Sequence, residues 1–139
     1  MARIMAFDYG TKRIGVAVTD PLQIIATGLE TIHPKDAVDY LKRYLQTEEV
    51  ACFVVGEPKQ MDGTASESGQ HVKGFITILK KNFPQIPVQT IDERFTSKMA
   101  SAAIAQSGFK KKDRQNKERI DTISATIILQ SYLEKQSYL

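Results

Sequence analysis

Cysteine is nearly absent: Cys52 is the only one in 139 residues, and it lies in the apolar run 51–55 with nothing in the chain to pair with. A disulfide-built scaffold is excluded, a reducing cytosol suits the chain, and the thiol reads as a small core residue, not a nucleophile. Histidine is almost as scarce. His33 precedes Pro34 at a helix entrance and His71 falls on a helix, neither beside another ligand type at metal spacing, so there is no Cys/His zinc pattern and both read as structural. Nowhere do 18 apolar residues run together, and the start of the chain lacks the basic region, apolar stretch and small-residue cleavage site of an export signal. These absences predict a soluble, cytoplasmic protein. With no internal repeat or low-complexity tail, and too few residues for a second catalytic unit, one domain over 1–139 is expected.

What remains is an ordinary globular composition, 42% hydrophobic and 25% charged, with enough apolar mass for a core. Nineteen basic residues against 16 acidic give a net +3 and a pI near 9.0, which mildly favours a polyanionic partner. Residues 3–8 and 14–19 read as a hairpin, and 28–32 alternates like a third, half-exposed strand. From 34 to 48 the period changes: Ala37, Val38, Leu41, Tyr44 and Leu45 recur at helical spacing behind Pro34. Residues 50–55 are short, continuous and apolar, as a central parallel strand requires, and 56–63 is a breaker-rich loop leaving its carboxyl end. A helix over about 66–82, a strand over 87–93, a helix over about 96–106 and a last helix over about 118–135 complete the chain. The order β-β-β-α-β-α-β-α-α predicts a mixed five-stranded α/β sheet, three strands antiparallel and the last two parallel to the first.

In such a sheet the carboxyl ends of the parallel strands share one edge, where ligands bind. That edge gathers Asp8, the 56–63 loop and the pair Asp92-Glu93. Asp8 closes a run that looks buried on both faces and sits close to Gly10, where backbone can approach a ligand; the same two residues also serve as plain hairpin-turn formers. Gathered carboxylates repel unless a cation or a shared proton compensates, and hard oxygen ligands suit Mg2+ or Mn2+.

Other residues carry two readings each. Asp121 lies in the first turn of the last helix, where the helix dipole alone favours an acid, yet it borders the stripe Ile120, Ile123, Ile127 together with Ala125 and Ile128. Lys12 and Arg13 follow Asp8 in the first turn and either hold a phosphodiester or form a solvated hairpin tip. Arg94 is a phosphate or carboxylate contact, or an ordinary surface cation. Thr96 and Ser97 read as helix caps. The stretch 110–119, which begins with Lys110, Lys111 and Lys112, has six basic residues against two acidic. It reads as a solvated linker or as a basic loop binding backbone phosphates at the mouth of an acidic site.

The motifs FDYGTKRIGVAV (7–18), VGEPKQMDG (55–63), IDERFTS (91–97) and RIDTISATIILQSYL (119–133) together resemble the YqgF family, described as Holliday-junction-resolvase-like proteins and as nucleases of the 5′ end of pre-16S ribosomal RNA. The resemblance runs through essentially the whole chain. It implies a ribonuclease-H-like fold and a metal-dependent nuclease whose acids are Asp8, Glu93 in preference to Asp92, and Asp121. One departure is Glu57, where relatives commonly carry an apolar residue; it is either an extra ligand or an exposed loop acid. The expected substrate is structured RNA, cut by a monomer or homodimer. Alternatives are a resolvase of branched DNA, a non-catalytic RNA-binding module, and nucleotide binding of the actin and sugar-kinase kind, for which a second lobe and a second phosphate turn are missing.

Overall fold

The computed structural model describes residues 2–10, 12–57, 67–92 and 117–137, with backbone alone at 57, 67–69, 92, 117–121 and 135–137. Its strands are β1 (Arg3–Tyr9), β2 (Ile14–Thr19), β3 (Ala26–Ile32), β4 (Val50–Glu57) and β5 (Val88–Asp92). The helices are α1 (Ala37–Tyr44), α2 (Glu67–Asn82) and α3 (Lys117–Ser137). The five strands form one sheet in the order β3-β2-β1-β4-β5. β1 pairs antiparallel with β2 and parallel with β4, β2 pairs antiparallel with β3, and β4 parallel with β5. This is the expected mixed sheet. The expected helix at 96–106 and its caps Thr96 and Ser97 fall outside the described residues.

β1 sits at the centre because both of its faces are apolar: Ile4, Met5, Ala6 and Phe7 are all buried. Alternation divides them between two cores. Met5 and Phe7 face a cluster with Val16, Phe53, Val55, Leu41, Val72, Phe75 and Leu79, beneath α1 and α2. Ile4 and Ala6 face the other cluster, with Ala17, Cys52, Val54, Ala125, Ile128 and Leu129, beneath α3. The first core is aromatic. Phe7 meets Phe53 and Phe75 edge-on at 5.5 and 5.3 Å, and Tyr9 stacks on Phe75 at 4.9 Å. Each such pair adds about 0.5–1.5 kcal/mol beyond the area it buries.

Pro34 opens a 3-10 turn that His33 caps, its Nδ1 accepting from the Lys35 N–H at 3.1 Å, so His33 is structural as expected. The regular helix then ends at Tyr44 instead of running to 48, because the chain tightens into turns: Gln46 and Thr47 donate to the carbonyls of Arg43 and Tyr44. β3 is an edge strand, mostly exposed, and starts two residues earlier than its alternation suggests. In the loop before it, the Asp20 carboxylate accepts from the N–H groups of Ile25 at 2.7 Å, Ile24 at 2.8 Å and Leu22 at 3.1 Å, which hold its carboxyl below the ordinary range. Among the described residues no helix is long and apolar enough to cross a membrane.

Candidate active site

Asp8 is not the last residue of its strand, since β1 continues through Tyr9, and it is half-buried. Its face follows from its neighbours. Ile4 and Ala6 pack beneath α3, so a period of two puts Asp8 on that face and not among the aromatic rings. Across β2 its register partner is Gly15, and one step beyond the pair Phe7 and Val55 the neighbour on β4 is Gly56. Gly15 shares its parity with buried Ala17, and Gly56 with Cys52 and Val54. The strands on both sides of Asp8 thus present glycine toward α3, and neither contributes a side chain that would cover the carboxylate. Sequence reasoning assigned Gly15 no role and read Gly56 as the start of a loop. The available signal was glycine inside a strand, which marks close approach of something else.

Of the two readings of Gly10, the structure supports the turn former. A Cβ there would lie 2.7 Å from the carbonyl oxygen of Arg13, so the close approach that demands glycine is made by the chain itself as it turns into β2. The turn presents Lys12 exposed and Arg13 half-buried, immediately beyond the strand that carries Asp8.

β4 runs two residues further than its breaker residues indicated, because Gly56 pairs with Ile91 and Glu57 with Asp92. The carboxyl ends of β1, β4 and β5 therefore share an edge, with Tyr9, Glu57 and Asp92 on its outermost row. Val88 packs with the aromatic core and Ile91 with the α3 core. Glu93, Arg94, Lys110, Lys111 and Lys112 lie outside the described residues, as does the side chain of Asp121. Among the described residues no group of three His, Cys, Asp or Glu side chains comes together.

α3 carries position 121 to the same face. The helix meets the sheet through Ala125, Ile128 and Leu129; of the expected stripe Ile120, Ile123, Ile127, Ile127 is buried, Ile123 is half-buried and the side chain of Ile120 lies outside the described residues. Position 121 lies one turn before Ala125 and two before Ile128, on the sheet-facing row. The approach is close: a Cβ built on Gly28 of β3 would stand 3.3 Å from Thr122 Cβ and 3.3 Å from Thr126 Oγ1. Gly28 pairs with Ala17 and Asp8 with Gly15, so Gly28 and Asp8 are about 10 Å apart across the strands and about 7 Å along them. A separate surface cavity of about 590 Å3, bounded by Glu30, His33, Asp36, Tyr40 and Arg43, opens between β3 and α1.

A family model described as "RuvX: Holliday junction resolvase" matches residues 2–135. The chain belongs to the RuvX family. It is 52% identical, over all 139 residues of both chains, to a Phocaeicola vulgatus protein named "Putative pre-16S rRNA nuclease". A Flavobacterium johnsoniae protein of the same name is 51% identical over 138 residues, 99% of this chain and all of its own. Among solved structures, Thermus thermophilus RuvC in complex with a Holliday junction substrate is similar with a TM-score of 0.57 and 12% identity, over 99% of this chain and 98% of that one. Thermus thermophilus RuvC has also been solved in a structure that gives a TM-score of 0.56 at 11% identity, over 96% of each chain. Likeness at that identity shows the fold, which is ribonuclease-H-like, and the RuvX family it belongs to is one of nucleases.

Proposed function

We propose that this nuclease is a divalent-metal-dependent phosphodiester hydrolase that processes the 5′ end of pre-16S rRNA in the cytoplasm. Its site is formed by Asp8, Glu93 and Asp121 within one domain spanning residues 1–139. The observation that carries the reading is Asp8: a half-buried carboxylate on the α3 face, at the carboxyl edge of the parallel strands, with glycine on either side. Hard carboxylate oxygens fit Mg2+ or Mn2+, and Asp8, Glu93 and Asp121 are the residues that would hold such ions. When bound, a pair of ions supplies an activated water and stabilises the leaving oxygen.

The family motifs favour Glu93 over the neighbouring Asp92, and Ile91, just before the pair, packs on the α3 side with the cluster beneath Asp8's face. Glu57 is the departure from the family pattern and is not placed among the ligands. On α3 the row through Ile128 and Ala125 leads back to 121. Lys12, Arg13, Arg94 and Lys110 to Lys112 would then hold the phosphate backbone across the acidic centre, neutralising a strand that the carboxylates alone would repel.

RNA is favoured because relatives about 50% identical over full length carry the pre-16S rRNA name. Branched DNA is the second reading, favoured by the family description. It demands a dimer, since two symmetric cuts need two sites, whereas trimming one RNA end needs only a monomer. The deciding experiment incubates the protein with a precursor 16S fragment and with a synthetic four-way junction, each in Mg2+, in Mn2+ and in chelator. Metal-dependent cleavage of the RNA is the expected result. Junction cleavage with the RNA left intact moves the assignment to a resolvase, and tight binding with neither cut identifies a non-catalytic module.

A further inference from the structure

We propose that Gly28, on the edge strand β3, fixes how deeply α3 seats on the sheet and so sets the reach from Asp121 to Asp8, acting as a positioning residue for the metal site. The inference rests on Asp121 being a ligand. A Cβ at position 28 would meet Thr122 Cβ and Thr126 Oγ1 at 3.3 Å and the Thr122 carbonyl oxygen at 3.5 Å. The first two distances are shorter than ordinary van der Waals contact of about 3.5–4.0 Å. A side chain there requires the helix or the strand to give by a few tenths of an ångström.

The rest of the floor is equally shallow. The register partner of Gly28 is Ala17, itself fully buried, so the first half of α3 rests on the two smallest residues available. The threonines that touch this floor need no room for a polar partner from the strand at Gly28, because the Thr126 hydroxyl donates to the Thr122 carbonyl at 2.7 Å. At its other end the helix is tied down by Ile128 and Leu129, packed in the cluster with Ile4 and Cys52, and Tyr132 Oη lies 3.9 Å from Cys52 Sγ. A side chain at 28 therefore lifts one end of α3 while the other stays fixed. Asp121 immediately precedes Thr122 and moves with the lifted end. Ligands must hold their geometry to within about 0.5 Å, so a displacement of a few tenths of an ångström is felt at the metal before it is felt by the fold.

The test compares Gly28→Ala with Gly74→Ala, the same change on α2 where an added Cβ meets nothing within 4 Å. Mn2+ binding to the RNA-free protein is read by electron paramagnetic resonance, alongside the Mn2+ concentration for half-maximal cleavage, kcat, KM for RNA and the metal-free thermal midpoint. For Gly28→Ala, Mn2+ binding should weaken severalfold and kcat fall about tenfold, below the roughly hundredfold loss typical of a full 1 Å misplacement. KM for RNA should hold. Gly74→Ala should bind Mn2+ and turn over normally. Adding Thr126→Ala to Gly28→Ala removes one of the two tight contacts and should restore part of both Mn2+ affinity and kcat. Normal Mn2+ binding and kcat in Gly28→Ala overturns the proposal, because the edge strand has then absorbed the Cβ. A kcat loss with unchanged Mn2+ affinity and no rescue by Thr126→Ala also overturns it. Asp8→Asn in the same series separates the two levels of argument: if Asp8→Asn still cleaves, the site reading fails, and if it is dead while Gly28→Ala is normal, only the positioning role fails.

Discussion

Asp8→Asn is the sharpest perturbation of the site, because it keeps the shape of a half-buried side chain and removes the charge that a cation needs. Its consequences with and without metal have opposite signs. Without metal, carboxylates gathered at one sheet edge repel each other, so removing one charge should leave the thermal midpoint unchanged or raise it. With Mn2+ the wild-type protein gains binding free energy that the variant lacks. At a concentration about 100 times the dissociation constant that gain is about 2.7 kcal/mol. At roughly 3–4 °C per kcal/mol for a chain of this length, the wild-type midpoint should rise by about 8–11 °C and the variant's hardly at all. Differential scanning fluorimetry at fixed ionic strength, titrating Mn2+, measures both. Cleavage of the precursor 16S fragment should collapse in parallel. Asp121→Asn should follow the same pattern, with a metal-free cost limited to about 0.3–1 kcal/mol from the helix-dipole term. A folded Asp8→Asn protein that turns over at the wild-type rate in Mg2+ refutes the metal assignment, and a full Mn2+ shift in the variant places the ion elsewhere.

Replacing Lys110, Lys111 and Lys112 with alanine should weaken RNA affinity and flatten the slope of log affinity against log salt by about 0.7–0.9 per lost phosphate contact; an unchanged slope marks the run as a solvated linker. Phe75→Leu removes the ring contacts to Phe7 at 5.3 Å and Tyr9 at 4.9 Å, a loss of about 1–3 kcal/mol in chemical denaturation. Turnover well below the midpoint should change little, since β1 is held from both sides by β2 and β4, and a large loss in the folded protein would show that the aromatic wedge positions Asp8. The folded pKa of Asp20 lies below its reference of 3.8, so its contribution to stability is present above that value and disappears as pH falls through the folded pKa. Asp20→Asn should make the acid limb of a midpoint-against-pH curve shallower, and an unchanged limb would mean the three backbone hydrogen bonds do not form in solution.

The elements that were legible in the sequence are those whose burial is decided by their own residues. β1 reads as central because Ile4 to Phe7 is apolar without interruption, and α1 reads as a helix because Ala37, Leu41 and their neighbours repeat at its period. Errors arise where a neighbour decides. Gly56 looks like the end of a strand, yet β4 continues because β5 supplies partners for Gly56 and Glu57. In α3 apolar residues spread around much of the helix, so the row that meets the sheet, Ala125, Ile128 and Leu129, is selected by the small floor at Gly28 and Ala17 and not by the helix's own pattern. Gly10 carries both a turn reading and a ligand reading in the sequence because a tight turn and a ligand site ask for the same absence of Cβ, and only the structure shows the turn. The family motifs point to the acids proposed for the site, but the glycines beside Asp8 become neighbours only through cross-strand register, which a linear motif does not display.

That register also explains why the face that Asp8 takes is so firmly specified. Asp8 follows Phe7, and a strand alternates faces at every residue. Were β1 to slip by one position against β2 and β4, every side chain would change sides. Phe7 would leave the rings of Phe53 and Phe75, forfeiting about 1.5–3 kcal/mol of burial and the ring pairs besides, and a carboxylate would enter the aromatic core in its place. An unpaired charge there is worse still, because several kcal/mol of desolvation would go uncompensated. The apolar alternation that builds the aromatic core thus excludes every register in which Asp8 faces α1 and α2. The register that remains sets the carboxylate between Gly15 and Gly56 and under α3, so in β1 one pattern of residues specifies both the fold and the side of the sheet on which chemistry can occur.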